Sequence, residues 1–170
     1  MHNIKLPTDS EILLNNLETP DNLECLDIDL TQILIDSSDN SMYAVMESNK
    51  KEVLFHLNAY EGTMLTFVKS GCGEHSHIKT IYQLYLETMQ LIKCELIKVV
   101  IEVKCGDVIY SRLIWKDRKD RTIYSMCSVG DALILAIMSN APIQIIKKVL
   151  NALDDISNDE TNYRNDIIDL

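Results

Sequence analysis

Short runs of alternating apolar and polar residues, each closed by a turn-forming cluster, fill most of the chain between positions 26 and 127. Leu30, Ile33 and Ile35 make Leu26–Asp36 a predicted strand that ends at Asp36-Ser37-Ser38-Asp39-Asn40-Ser41. Met42–Glu47 and Glu52–Leu57 read as strands around Ser48-Asn49-Lys50-Lys51, and a helix is expected from Ala59 or Tyr60. After Ser70-Gly71-Cys72-Gly73, apolar residues at 78, 81, 82, 84, 85, 86, 89, 91 and 92 give Ile78–Ile92 a broad helical stripe suited to packing on a sheet. Tyr82, Tyr85 and Met89 are expected core positions of that stripe. Leu96–Val103 reads as a buried strand, Cys105-Gly106-Asp107 as a tight turn, and Val108–Trp115 and Thr122–Cys127 as two further strands. Asp131–Met138 is a short helix, Ala141–Ile145 a brief edge strand, and a last helix runs to about Leu153.

The same pattern is written twice. Tyr43 and Tyr110 are 67 apart, Glu61 and Asp131 are 70 apart, and the difference of three is assigned to the charged turn Lys116–Arg121. Each copy places an acid, then a small residue, at the start of an apolar helical run. Short turns between neighbouring strands require antiparallel pairing. The fold class is therefore α+β: a mixed, largely antiparallel sheet from a duplicated β-β-β-α unit, with helices packed on one face.

Composition adds limits. The chain has 170 residues, 46% of them hydrophobic, enough for one domain with a real core. No apolar run is long enough to span a bilayer, so no membrane partner is expected. The start, Met1-His2-Asn3-Ile4-Lys5-Leu6-Pro7, lacks the features of a signal peptide and points to the cytoplasm. Five cysteines (Cys25, Cys72, Cys94, Cys105, Cys127) without paired spacing are read as reduced thiols. The organisation expected is an N-terminal tail over 1–25, a domain over 26–153 and an acidic, disordered tail over 154–170.

Net charge is −10, but unevenly spread. Residues 1–29 hold seven acids and one base, and residues 154–170 six acids and one base, leaving 13 acids and 14 bases between. A near-neutral centre is compatible with nucleic-acid contact through a local patch. The densest basic group is Arg112, Lys116, Arg118, Lys119 and Arg121, with Lys147-Lys148 a second. The alternating signs of residues 116–121 read equally as a solvated hairpin turn.

With the segments in place, a resemblance emerges. Val99-Val100-Ile101, Val108-Ile109-Tyr110, Gly130-Asp131-Ala132-Leu133-Ile134-Leu135-Ala136 and Ala141-Pro142-Ile143 resemble the second half of the bifunctional nuclease family. Leu57-Asn58-Ala59-Tyr60-Glu61-Gly62 is similar to that family's isoleucine-glycine-x-phenylalanine-glutamate-alanine segment, and Ile81-Tyr82-Gln83-Leu84 to its threonine-histidine/tyrosine-aspartate-leucine helix start. The likeness covers about residues 27–153. It implies a compact α+β domain that hydrolyses phosphodiester bonds in DNA and RNA. Where the family has aspartate-x-arginine-proline-serine-aspartate-alanine, this chain has Met126-Cys127-Ser128-Val129-Gly130-Asp131-Ala132. Ser128 thus replaces an arginine whose planar fork would clamp a phosphate.

Glu61 and Asp131 are the candidate catalytic residues. Two carboxylates brought together can hold Mg²⁺ or Mn²⁺ against a phosphodiester. First-turn acids also cap helices by taking free backbone N–H groups. Cys72, His75 and His77 are candidate metal ligands on a glycine loop, without a fourth ligand at a recognisable spacing; the plainer reading is a polar loop with Ser76 as N-cap of the next helix. Three functions are compatible with the sequence: a nuclease, a catalytically impaired relative that binds nucleic acid or protein, and an assembly protein acting as a homo-oligomer.

Overall fold

The computed structural model describes residues 23–71, 79–104, 108–159 and 167–169. The expected N-terminal tail up to residue 22, the turn 105–107, Ser76 and the ligand candidates Cys72, His75 and His77 lie outside the described residues. The elements are β1 (Cys25–Asp27), β2 (Asp29–Asp36), β3 (Met42–Ser48), β4 (Lys51–Leu57), α1 (Ala59–Lys69), α2 (Ile81–Leu91), β5 (Cys94–Lys104), β6 (Val108–Asp117), β7 (Thr122–Cys127), α3 (Val129–Ser139), β8 (Ile143–Ile146), α4 (Lys147–Asp159) and β9 (Ile167–Asp169).

The class is α+β, as expected, but the strands form two sheets. The first is mixed, in the order β1-β8-β5-β6-β7; the second is antiparallel, in the order β4-β3-β2-β9. The predicted strand Leu26–Asp36 is divided between them. Leu26 and Asp27, with Cys25 before them, pair with β8 and Asp29–Ile35 with β3, while Ile28 at the crossing is only 1% exposed. Buried in the core, Ile28 anchors both sheets to one interior. β8 is no edge strand: it runs parallel to β5 and carries β1 on its other side. The stretch expected as an acidic tail contains the end of α4 and β9, which pairs with β2.

Each half builds a three-stranded meander followed by a helix, and a β-bulge falls at the matching place in both. The first lies between Leu30 and Gln32 against β3, the second between Leu96 and Lys98 against β6. Aligning the bulges puts Gln32 opposite Lys98 (66 apart), Val45 opposite Ile114 (69) and Leu57 opposite Cys127 (70). The length difference is therefore divided: three residues enter at the first hairpin of the repeat and one at the second. Tyr43 corresponds to Arg112, not to Tyr110. The equivalence Asn58–Ser128 and Glu61–Asp131 holds at a spacing of 70.

One core joins the sheets. Ala44, Met46, Phe55 and Leu57 of the second sheet and Val99, Ile101, Leu113 and Trp115 of the first belong to the same buried cluster as Leu133 and Ile134 of α3. Apolar on every side, α3 is the central helix, touching α1, α2 and strands of both sheets. Each of the larger of these side chains contributes roughly 1.5–3 kcal/mol by its burial. Trp115 is an anchor, 1% exposed, its Nε1 donating to Ser125 Oγ at 3.0 Å. The α2 stripe behaves otherwise: Tyr82 is its buried residue, and Tyr85 remains 39% exposed.

Candidate functional site

The turns that end β4 and β7 deliver two helix N-termini to the same place. Asn58 and Ser128 are the N-caps of α1 and α3, with nearly identical extended backbones (φ −70°, ψ 161° and φ −60°, ψ 161°). Each side chain accepts from the backbone N–H three residues on, that of Glu61 (2.9 Å) or Asp131 (3.1 Å). These are the local signals Asn-x-x-Glu and Ser-x-x-Asp.

The acids then diverge. Glu61 is 7% exposed and both its oxygens are occupied. Oε2 accepts from the Asn58 N–H at 2.9 Å, closing a capping box, and Oε1 accepts from the Ser128 hydroxyl at 2.5 Å. Ser128 therefore links the two helix starts, donating to one acid while its oxygen caps the helix of the other. Gly130 makes room for this: a Cβ there would lie 2.5 Å from Glu61 Cδ and 2.8 Å from its Cβ and Cγ.

Asp131 is half-buried and accepts from the Tyr82 hydroxyl at 2.6 Å through Oδ1. Its Oδ2 receives no bond from a described residue. Tyr82 is stacked on Tyr60 at 6.3 Å between centroids. Burial first, then the Asp131 carboxylate, pushes the Tyr82 phenol well above its ordinary pKa, so it is a fixed donor at neutral pH. Burial likewise drives the Cys127 thiol up to about 12, with Asp131 and Glu61 adding to the shift, so it is no nucleophile.

Asp131, Tyr82 and Cys127 line a groove of about 510 Å³ between α2 and β7, whose other walls include Ile81, Leu84, Tyr85, Met126 and Leu135. No lysine or arginine lines it, and neither acid pairs with one among the described residues. Among those residues, no three His, Cys, Asp or Glu side chains converge on a position suited to a metal ion.

The expected basic patch is not one surface. Arg112 is 4% exposed and bonded to Glu102 through Nε and Nη2 (2.9 and 2.8 Å), with its guanidinium 5.8 Å from the Tyr124 ring centroid. Buried and ion-paired, it is withdrawn from phosphate contact. Lys116 and Arg121 pair with Asp120 and Asp117 inside their own turn, and Arg121 holds the Asp117 carboxyl below its usual range. Arg118 and Lys119 are exposed there. The turn stands at one end of β7 and the acids at the other, about 17 Å apart at ~3.3 Å per residue. Lys147 pairs with Glu24.

Sequence reasoning identified both acids and their matching positions. It missed Ser128 as the bridge, Tyr82 as the partner of Asp131 and Gly130 as the space that admits Glu61. The Ser-x-x-Asp spacing was a legible signal for the first; the other two depend on contacts between segments remote in sequence. No protein-family model matches the chain, and no curated protein is significantly similar to it.

Proposed function

We propose that this chain is a non-hydrolytic binding domain, carried on the kind of fold that the bifunctional-nuclease resemblance implies, and that its partner is a protein. The observation behind this reading is the fate of the two acids. Glu61 gives both oxygens to internal hydrogen bonds, and Asp131 faces an apolar groove with no lysine or arginine on its walls among the described residues. A phosphodiester beside two uncompensated carboxylates would be repelled, and Ser128 cannot replace the fork of an arginine. Apolar walls with one convergent polar group suit a buried side chain of a partner.

A hydrolytic role is the second reading, favoured by Asp131 on the groove wall, whose Oδ2 takes no bond from a described residue and whose Oδ1 holds a hydroxyl donor. Cleavage of single-stranded DNA and RNA with Mg²⁺ or Mn²⁺, and then with chelator, separates the two. Wild type, Glu61→Gln and Asp131→Asn are expected to show no metal-dependent cleavage. Chelator-sensitive cleavage that both substitutions abolish, in folded protein, would make the chain a nuclease. Steeply salt-dependent DNA binding without cleavage would move the partner from protein to nucleic acid.

A further inference from the structure

α2 is apolar around more of its circumference than the fold covers. At 100° per residue, Ile81, Leu84, Tyr85, Thr88, Leu91 and Ile92 fall within an arc of roughly 120°. The five apolar members are 63, 48, 39, 83 and 62% exposed. Buried Tyr82 lies to one side of that arc, and the polar flank of Gln83, Glu87 and Gln90 faces away from the groove. A surface helix ordinarily turns such a stripe towards a core. Here it faces solvent.

Beside it, across the groove, runs β7, an edge of the mixed sheet among the described residues. Edge strands are usually guarded by charge, proline or brevity. β1 and β9 have three residues each, and β4 carries Lys51, Glu52 and His56. β7 has six residues, Thr122-Ile123-Tyr124-Ser125-Met126-Cys127, with no charge and no proline. Ile123 and Tyr124 are 43 and 44% exposed. The unguarded edge and the uncovered helix stripe are contiguous through the groove that both line.

We propose that β7 and the outward stripe of α2 form the interface between two copies of this chain, related by a twofold axis. Three observations favour a second copy as the occupant. An antiparallel pair of identical strands is itself twofold symmetric, so an open β7 edge is complementary to its own copy. Neither the stripe nor β7 bears a charge, and in a chain of net charge −10 such a surface is where two copies can approach. Seven large apolar side chains, five on the stripe and two on β7, are also left 39–83% exposed, the kind of uncovered surface that a standard stable interface of roughly 800 Å² per partner takes up. The inference names the partner of the binding domain proposed above and rests on that reading for its significance, while its test is independent of the cleavage assay.

Sedimentation velocity of the full chain, up to about 100 µM, reads it directly. The expected species is twice the 19.4 kDa chain. Leu84→Lys and Ile123→Lys, both at exposed positions, are expected to give monomers that keep the wild-type far-UV circular dichroism and a cooperative melt whose midpoint no longer depends on protein concentration. A wild-type monomer throughout that range overturns the inference, as does a dimer that survives both substitutions. A monomer that instead takes up an extended apolar peptide along β7 also overturns it, and assigns the groove to a foreign strand.

Discussion

The first and second halves of the repeat use one plan with different chemistry at three matched positions. At the acid, Glu61 reaches back to its own cap and across to Ser128, whereas Asp131, one methylene shorter, bonds to Tyr82 and lines the groove. At the residue before it, Tyr60 stacks on Tyr82 while Gly130 leaves the space that Glu61 occupies. In the middle strand, Tyr43 packs edge-on against His56, where Arg112 makes a buried ion pair with Glu102. One half supplies structure to the shared centre; the other presents side chains to the groove. A single methylene and a missing Cβ are enough to divide those roles.

The largest break in this comparison is expected from Arg112→Ala. Leaving Glu102 buried without its partner should destabilise the fold by about 3–5 kcal/mol. At the matched position, Tyr43→Ala should cost about 1 kcal/mol plus its modest burial. Urea denaturation of both variants measures the contrast. Glu102→Leu combined with Arg112→Met should recover most of the loss, because no charge is then left buried alone.

Gly130→Ala comes next. Glu61 is tied at both oxygens and cannot swing aside, so the added methyl should destabilise by about 1–3 kcal/mol despite alanine's better helix propensity. Tyr60→Ala, at the matched but half-exposed position, should cost less. A smaller effect of opposite sign is expected at Ser111, the counterpart of Met42. Its hydroxyl is fully buried and the one buried side-chain polar atom without a partner among the described residues. Ser111→Ala should therefore stabilise by about 1 kcal/mol in thermal or urea melts.

The last contrast appears only in alkali. The Cys127 thiol ionises near 9.0 when ordinary but at about 12 in the fold. Between those values the unfolded chain has lost a proton that the folded chain retains, so stability should fall as pH rises from about 9 towards 12. Below pH 9 this thiol contributes no slope. Cys127→Ala should flatten the fall in urea midpoints over that window, and the thiol should resist alkylation at pH 8.

Local signals carried much of the fold. Alternation and turn clusters located the six strands of the two meanders, and the acid and small residue opening each apolar helical run placed both helix starts within a residue or two. These features depend on neighbours along the chain, through period, turn geometry and first-turn hydrogen bonds. Where two sheets were expected to be one, the deciding event was the crossing at Ile28, whose side chain looks like any strand residue until two layers close over it. The α2 stripe held as a core prediction only in part, with Tyr82 in the core and Met89 packed against it but Tyr85 left exposed, for a related reason: periodicity reports that a face is apolar, not whether the fold has anything to lay against it. The basic group divided because β6 directs Arg112 and the turn residues to different surroundings.

The sequence by itself determined the α+β class, the repeat and the pairing of Glu61 with Asp131, since each follows from spacings and short-range preferences. Only the tertiary structure decided that Ser128 joins the two helix starts, that Tyr82 takes Asp131, that Arg112 is buried and that β7 and α2 remain uncovered. Those outcomes depend on which distant surfaces meet, and the free energy of burying or exposing a side chain is set by what lies opposite it.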